Sequence, residues 1–136
     1  MTSAQFPLPV PNLDNQEFFD KCREHRLVLR RCRDCALFSH PPRPNCLNCA
    51  SDNLEWVESK GRGVVYTFTI TRQPVSRAFE GRLPWAVVDV KLEEGVHLIS
   101  NLVDCDPEEI EIGMAVEVVF EEVNAEITLP KFKRVS

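Results

Sequence analysis

Four cysteines, Cys32, Cys35, Cys46 and Cys49, stand as two Cys-x-x-Cys pairs on either side of a proline-rich bridge, His40-Pro41-Pro42-Arg43-Pro44. Two residues inside a pair let both thiolates point at one ion from a single tight turn, and two such turns complete a tetrahedron of sulfur around Zn²⁺. The spacing predicts a zinc ribbon; two disulfides or four packed thiols are the competing readings of the same residues. A catalytic zinc keeps one coordination position for water, whereas four thiolates fill the shell, so the expected ion is structural and folds a segment too small to fold alone. His40 lies between the pairs and is a ligand in principle, but four cysteines at this spacing make it redundant. Cys22 and Cys105 are left over, and with no His and Asp or Asn pattern nearby they read as packed thiols rather than nucleophiles. His25, His40 and His97 have no recognisable nucleophile or paired base, so a self-contained active site is not expected.

Composition bounds what can carry this cluster. A chain of 136 residues with 43% hydrophobic content suits one compact domain plus a small appendage. Met1 to Val10 has neither a basic start nor an apolar run, and no later stretch approaches about 18 consecutive apolar residues. The reading is a soluble, cytoplasmic protein with no membrane partner, and cysteines kept as thiols agree with a reducing compartment. The formal net charge is −5, and four thiolates around one dication deepen it by about two further charges. An acidic chain is repelled by phosphate backbones unless base gathers on one face, so nucleic acid is not the expected partner.

The elements that must position the cluster follow in order. A proline-punctuated lead from Phe6 to Pro11 resists regular structure. A helix follows, with Asp14 as N-cap and Glu17 three residues on, and an apolar stripe through Phe18, Phe19, Cys22 and Leu27. Leu27 to Arg31 and Leu54 to Glu58 read as paired ribbon strands flanking the cysteines. Gly61-Arg62-Gly63 marks a boundary and a bulge or tight corner. Beyond it Val64, Tyr66, Phe68 and Ile70 alternate with Val65, Thr67, Thr69 and Thr71, which predicts a half-buried strand with the first set inward. Arg72 to Arg82 reads as a polar loop. Trp85 to Leu92 and Val96 to Val103 form a hairpin around Glu93-Glu94-Gly95, Asp106-Pro107 opens a helical turn, and Ala115 to Glu122 and Glu126 to Phe132 are the last strands, the latter at an edge because of Pro130. Five antiparallel strands with a helical turn between the third and fourth suit a small closed barrel of the OB type. The expected protein is therefore mainly β, with an N-terminal lead and helix in residues 1–26, a rubredoxin-like zinc ribbon in 27–60 and an OB-fold domain in 61–136.

Taken together, the helix with Phe18-Phe19, the two cysteine pairs, Pro42-Arg43-Pro44, Trp56, Gly61 to Thr69, Pro84 to Val90, Glu94-Gly95, Ile112-Gly113-Met114 with Val116, and Leu129 to Phe132 resemble the zinc-ribbon plus OB-fold proteins associated with acyl-CoA metabolism. The likeness runs from about Leu13 to Phe132; Trp85 stands where tyrosine is usual, and Ala36 where glycine often follows the first pair. The resemblance implies a small subunit beside a thiolase-like large subunit that condenses, thiolyses, transfers acyl groups or performs retro-aldol cleavage, two copies of each being the natural stoichiometry. Some members instead accompany MaoC-like enoyl-CoA hydratases. In such complexes the large subunit supplies the chemistry, while the small one completes or gates the acyl-CoA site.

That implication assigns roles to particular residues. Phe18 and Phe19 are either core of the chain's own domain or an aromatic pair offered to the partner. Contact with the phosphates of acyl-CoA falls to local base, either Arg72, Arg77 and Arg82 around Phe79 or Lys131 and Lys133 near the C-terminal end, with solvated surface as the plain alternative. Two other functions remain in play: a chain that binds acyl-CoA by itself, and an OB module for single-stranded nucleic acid, which needs exposed aromatics in a basic groove.

Overall fold

A computed structural model describes residues 7–74 and 76–135. Phe6 of the proline-punctuated lead, and the larger part of the stretch tested above as a leader, lie outside the described residues. Helix α1 (Gln16–Arg23) opens the regular structure. It begins one residue later than Asp14 as N-cap would place it, with Asn15 in the cap position. Asn12 does the work: its Oδ1 accepts from the backbone N–H groups of Asp14 and Asn15 at 2.9 and 3.0 Å, and Asn15 Oδ1 accepts from Asn12 N–H at 2.7 Å. These side-chain turns satisfy backbone donors that lie ahead of the first helical bond.

The ribbon sheet has the order β2-β1-β3, where β1 is Val28–Cys32, β2 is Phe38–Ser39 and β3 is Leu54–Glu58. The β1–β3 pairing is antiparallel, with Arg30 opposite Trp56; the two-residue β2 is too short to leave an alternation signal. The ribbon shares one core with the barrel, for Phe18, Cys22, Leu27, Val28 and Leu29 belong to the same buried cluster as Val88, Val90, Val116 and Phe132. At about 30 residues a ribbon buries too little of its own surface to stand alone. Burial of α1 and β1 against the barrel supplies the remainder.

The barrel is closed in the order β4-β5-β6-β8-β7, with β4 at Arg62–Thr71, β5 at Trp85–Leu92, β6 at His97–Val103, β7 at Ala115–Glu122 and β8 at Thr128–Arg134. The expectation of five antiparallel strands needs one correction, since β6 and β8 run parallel. They pair only at Leu102 with Phe132 and Val103 with Lys133. The 3₁₀ turn at Pro107–Glu109, capped by Asp106 Oδ1 accepting from Glu108 N–H at 3.0 Å, leads to β7 between them in the chain and so reverses the direction twice.

A second correction concerns β4. The register against β5 shifts between Val65 and Thr67, a bulge that inverts the side-chain phase. Val65 therefore points into the core at 1% exposure, while Val64 and Tyr66, expected inside, are 39% and 56% exposed. After the bulge Phe68 and Ile70 return to the core as expected.

The Gly61-Arg62-Gly63 corner owes its glycines to close approach. A Cβ at Gly61 would meet Val118 Cγ1 at 2.5 Å with φ at +71°, and one at Gly63 would collide with the backbone carbonyl of Lys91. A backbone neighbour cannot rotate away. Gly63→Ala is expected to cost about 1–3 kcal/mol, read as a lower urea midpoint with an unchanged m-value.

Candidate functional site

Each cysteine pair sits in the same local frame. Cys32 carbonyl accepts from Ala36 N–H at 2.8 Å and Cys46 carbonyl from Ala50 N–H at 2.9 Å, which folds the intervening residues back so that both thiols of a pair face one point. Ala36 and Ala50 take φ of 68° and 63°, the left-handed region glycine favours; two alanines held there show that the frame outweighs local strain. Backbone N–H groups are aimed at sulfur, from Cys35 to Cys32 Sγ at 3.5 Å and from Asn48 to Cys46 Sγ at 3.3 Å. Asp34 ties one turn to the segment after the other by accepting from the Ser51 hydroxyl and from Asn53 Nδ2 at 3.3 Å, and those bonds, Ser51 first, hold its carboxyl below the usual range.

The four sulfurs lie within 4.8 Å of one another, with Cys32–Cys49 at 3.6 Å and Cys35–Cys46 at 3.5 Å. Tetrahedral Zn²⁺ with Zn–S of about 2.3 Å places its sulfurs about 3.8 Å apart, so the cluster fits that ion and is too open for two disulfide bonds of about 2 Å. The electrostatics agree. The Cys35 thiol is pulled down to about 6, first by a hydrogen bond with the Asn48 side chain and then by the Leu37 backbone. At Cys49 the largest single influence, the Ser51 backbone hydrogen bond, pulls the thiol down, but Cys32, then desolvation, Cys35 and Cys46 together push it up to about 12. Crowded thiols resist losing the last proton, and a dication removes that resistance.

The other candidate residues separate. Phe18 is 5% exposed and is spent in the chain's own core, which corrects its assignment to a partner-facing pair; Phe19, edge-on to it at 5.3 Å between centroids, is the half-buried member that still meets solvent. Cys22 is sealed and burial pushes its thiol up to about 12, the environment of an inert packed cysteine. Among the basic residues, Arg72 pairs with Glu108 at 2.6 Å and Lys133 with Glu117 at 3.6 Å. Arg77 opens a short 3₁₀ turn in the exposed loop. Lys131 is buried, not exposed, and Arg82 acts on it electrostatically from that same loop. Of the five, Arg82 and Lys131 are linked electrostatically.

Two histidines acquire carboxylate partners that the sequence did not reveal, because the pairs form between elements distant in the chain or across strands. His25 Nε2 contacts Glu122 at 3.0 Å and stacks on Phe120, joining the end of α1 to the barrel. His97 Nδ1 contacts Asp89 at 2.8 Å with Tyr66 edge-on to its ring. His40 instead packs against Phe18, and burial draws its pKa down to about 4. Among the described residues no helix is long and apolar enough to cross a membrane.

Comparison with known proteins places this architecture among relatives. A family model for the rubredoxin-like zinc ribbon domain of ChsH2 matches residues 19–55, and one for the C-terminal OB-fold domain of ChsH2 matches residues 56–121. A probable enoyl-CoA hydratase alpha subunit of Thermomonospora curvata is 41% identical over 127 residues, covering 93% of this chain and 39% of that protein, so the chain spans about two fifths of that relative's length. A DUF35 domain-containing scaffold protein of Pyrococcus furiosus is 42% identical over 96 residues, covering 71% of this chain and 69% of its own length. Among solved structures, the chain is similar to one from the Ltp2–ChsH2(DUF35) aldolase, with 40% identity, a TM-score of 0.85 and coverage of 93% and 98% of the two chains.

The cluster should carry one zinc per chain by metal analysis, and Cys46→Ser should reduce metal content at least tenfold at equal free zinc, with loss of ribbon amide protection. His40 yields a pH test. Its folded pKa lies below the ordinary 6.5, so its contribution is present above about pH 6.5 and is lost as pH falls toward 4. Between about pH 7 and pH 5 the zinc-saturated protein should lose about 1–2 kcal/mol that His40→Gln does not lose, measured by urea midpoints at both pH values.

Proposed function

The chain belongs to the ChsH2-type DUF35 family, in which a rubredoxin-like zinc ribbon precedes an OB-fold domain, and on that footing we propose that it is a non-catalytic small subunit of an acyl-CoA-processing complex with a thiolase-type large subunit. The observation that carries the reading is the match over 98% of a chain from an aldolase that pairs Ltp2 with ChsH2. The chain's own features favour a supporting role: Cys22 is sealed, and the remaining thiol cluster suits a four-sulfur structural zinc held by Cys32, Cys35, Cys46 and Cys49.

The docking element is the start of α1. Leu13 is fully exposed just ahead of the helix and Phe19 is half-buried on it, while Phe18 locks the helix to the core. A rigid helix presenting apolar groups loses little entropy when a partner covers them. The ribbon fixes the angle of that helix, since β1 follows it directly and shares its buried cluster. The small subunit then completes or gates the partner's acyl-CoA site, and phosphate contact falls to the exposed loop that carries Arg77, because Arg72 and Lys133 already hold carboxylates and Lys131 is turned inward.

A MaoC-like hydratase as partner is the second reading, favoured by the 41% identity to the Thermomonospora curvata hydratase alpha subunit. Purification of the tagged chain from its native host under gentle conditions, with mass spectrometry of what accompanies it in stoichiometric amount, decides between the two. A chain recovered alone overturns both. Within the complex, Leu13→Ala with Phe19→Ala should weaken association at least tenfold, about 1.4 kcal/mol or more, while zinc content stays at the wild-type level. An undiminished complex would remove α1 from the interface.

A further inference from the structure

Between α1, the His40–Pro42 bridge and the barrel lies a cleft of about 350 Å³, at the lower end of the range small ligands occupy. It exists because β6 and β8 pair only at their ends. Leu98 to Asn101 of β6 and Leu129 to Lys131 of β8 form its floor, and Phe18 and Phe19 its wall. The lining is largely apolar, its polar side chains being Asn15, His40, Ser100, Asn101 and Lys131, and two of these exceptions stand out.

The first exception is Lys131. Its side chain is 7% exposed and its ammonium donates to Asn101 Oδ1 at 2.5 Å, while the nearest carboxylate, Glu121 on the half-exposed rim, stands 3.7 Å away. Desolvation foremost, and then Arg82, lowers the pKa of this amine against the opposing pull of Glu121. Glu121 thus forms an ion pair with this ammonium, and the Trp85 ring lies 5.2 Å from it. Arg82, however, adds a second positive charge beside a single half-exposed carboxylate, so an anion brought into the cleft is stabilised. The second exception is His40, whose Nδ1 is buried without a hydrogen-bond partner and whose ring lines the cleft. A polar atom left unpaired in an apolar wall marks a place the chain does not fill with its own groups.

An extended peptide is disfavoured as the occupant. Pro130 has no N–H to donate and its carbonyl already accepts from Ser100 Oγ at 2.6 Å, so this part of β8 is closed to strand addition. Recognition must come from side chains. We infer that the cleft is a small-molecule site for an apolar carboxylate, its acid group held by Lys131 and its hydrocarbon body laid against Phe18, Phe19, Leu98 and Leu129. This site belongs to the chain itself and does not depend on which large subunit it serves.

The test is calorimetry and amide NMR on the zinc-loaded full chain with octanoate, and with octan-1-ol as the uncharged probe of equal length. Saturable octanoate binding is expected, with shifts centred on Leu98 to Asn101 and Leu129 to Lys131, and with octanol at least tenfold weaker. Lys131→Met should weaken octanoate at least tenfold and leave octanol unchanged. Phe19→Trp, a change at a partly exposed position that narrows the wall, should weaken both and serves if Lys131→Met fails to fold. Absence of saturable binding, equal affinity for acid and alcohol, or octanoate affinity unmoved by either variant would overturn the assignment.

Discussion

The constraint on which the rest depends is the burial of one side of α1 and β1 against the barrel. Phe18 and Cys22 on the helix and Leu27, Val28 and Leu29 after it are sealed in the same cluster as Val88, Val90 and Phe132. Neither half encloses itself completely: the ribbon is too small for its own core, and the barrel pairs β6 with β8 at only two positions. The helix covers that weak seam. Polar links hold the same joint from outside, with Glu94 of the β5–β6 hairpin accepting from Ser59 Oγ and Lys60 N–H at 2.9 and 3.0 Å, and Glu122 meeting His25.

The thiol cluster is a consequence of this arrangement as well as a support for it. Cys32 ends β1, so the strand that enters the shared core also delivers the first sulfur. The second pair stands on a loop whose residues are largely exposed, and hydrogen bonds through Asp34, Ser51 and Asn53 bring it to the first. A four-sulfur ion site therefore acts on orientation rather than chemistry: it fixes the loop, the loop fixes β1, and β1 fixes the angle at which α1 leaves the barrel. The same chain of supports leaves open the cleft beneath α1, where the proline bridge forms one rim and Lys131 the floor.

Much was legible in sequence because the signals are local. Two Cys-x-x-Cys pairs point by their spacing to a tetrahedral site, period-two alternation announces β5, β6 and β7, and Asp106-Pro107 marks a turn that needs only its own hydrogen bond. What was lost depended on groups that meet from afar. The bulge after Val65 exists because β4 must pair with both β5 and β7, and it turned Tyr66 outward against a pattern that reads as inward. Adjacent Phe18 and Phe19 have the same chemistry, and only the direction of α1 over β8 sends one to the core and the other to the surface. The parallel pairing of β6 with β8 decides that Lys131, a residue charge alone would place in solvent, lies under the helix beside Asn101. Sequence by itself determined where the candidate metal ligands stand and the kinds of elements, since both arise within a few residues. Tertiary structure alone decided which faces are inside, which bases remain on the surface and where a cavity stays open, because each of these is a relation between strands that the chain brings together only on folding.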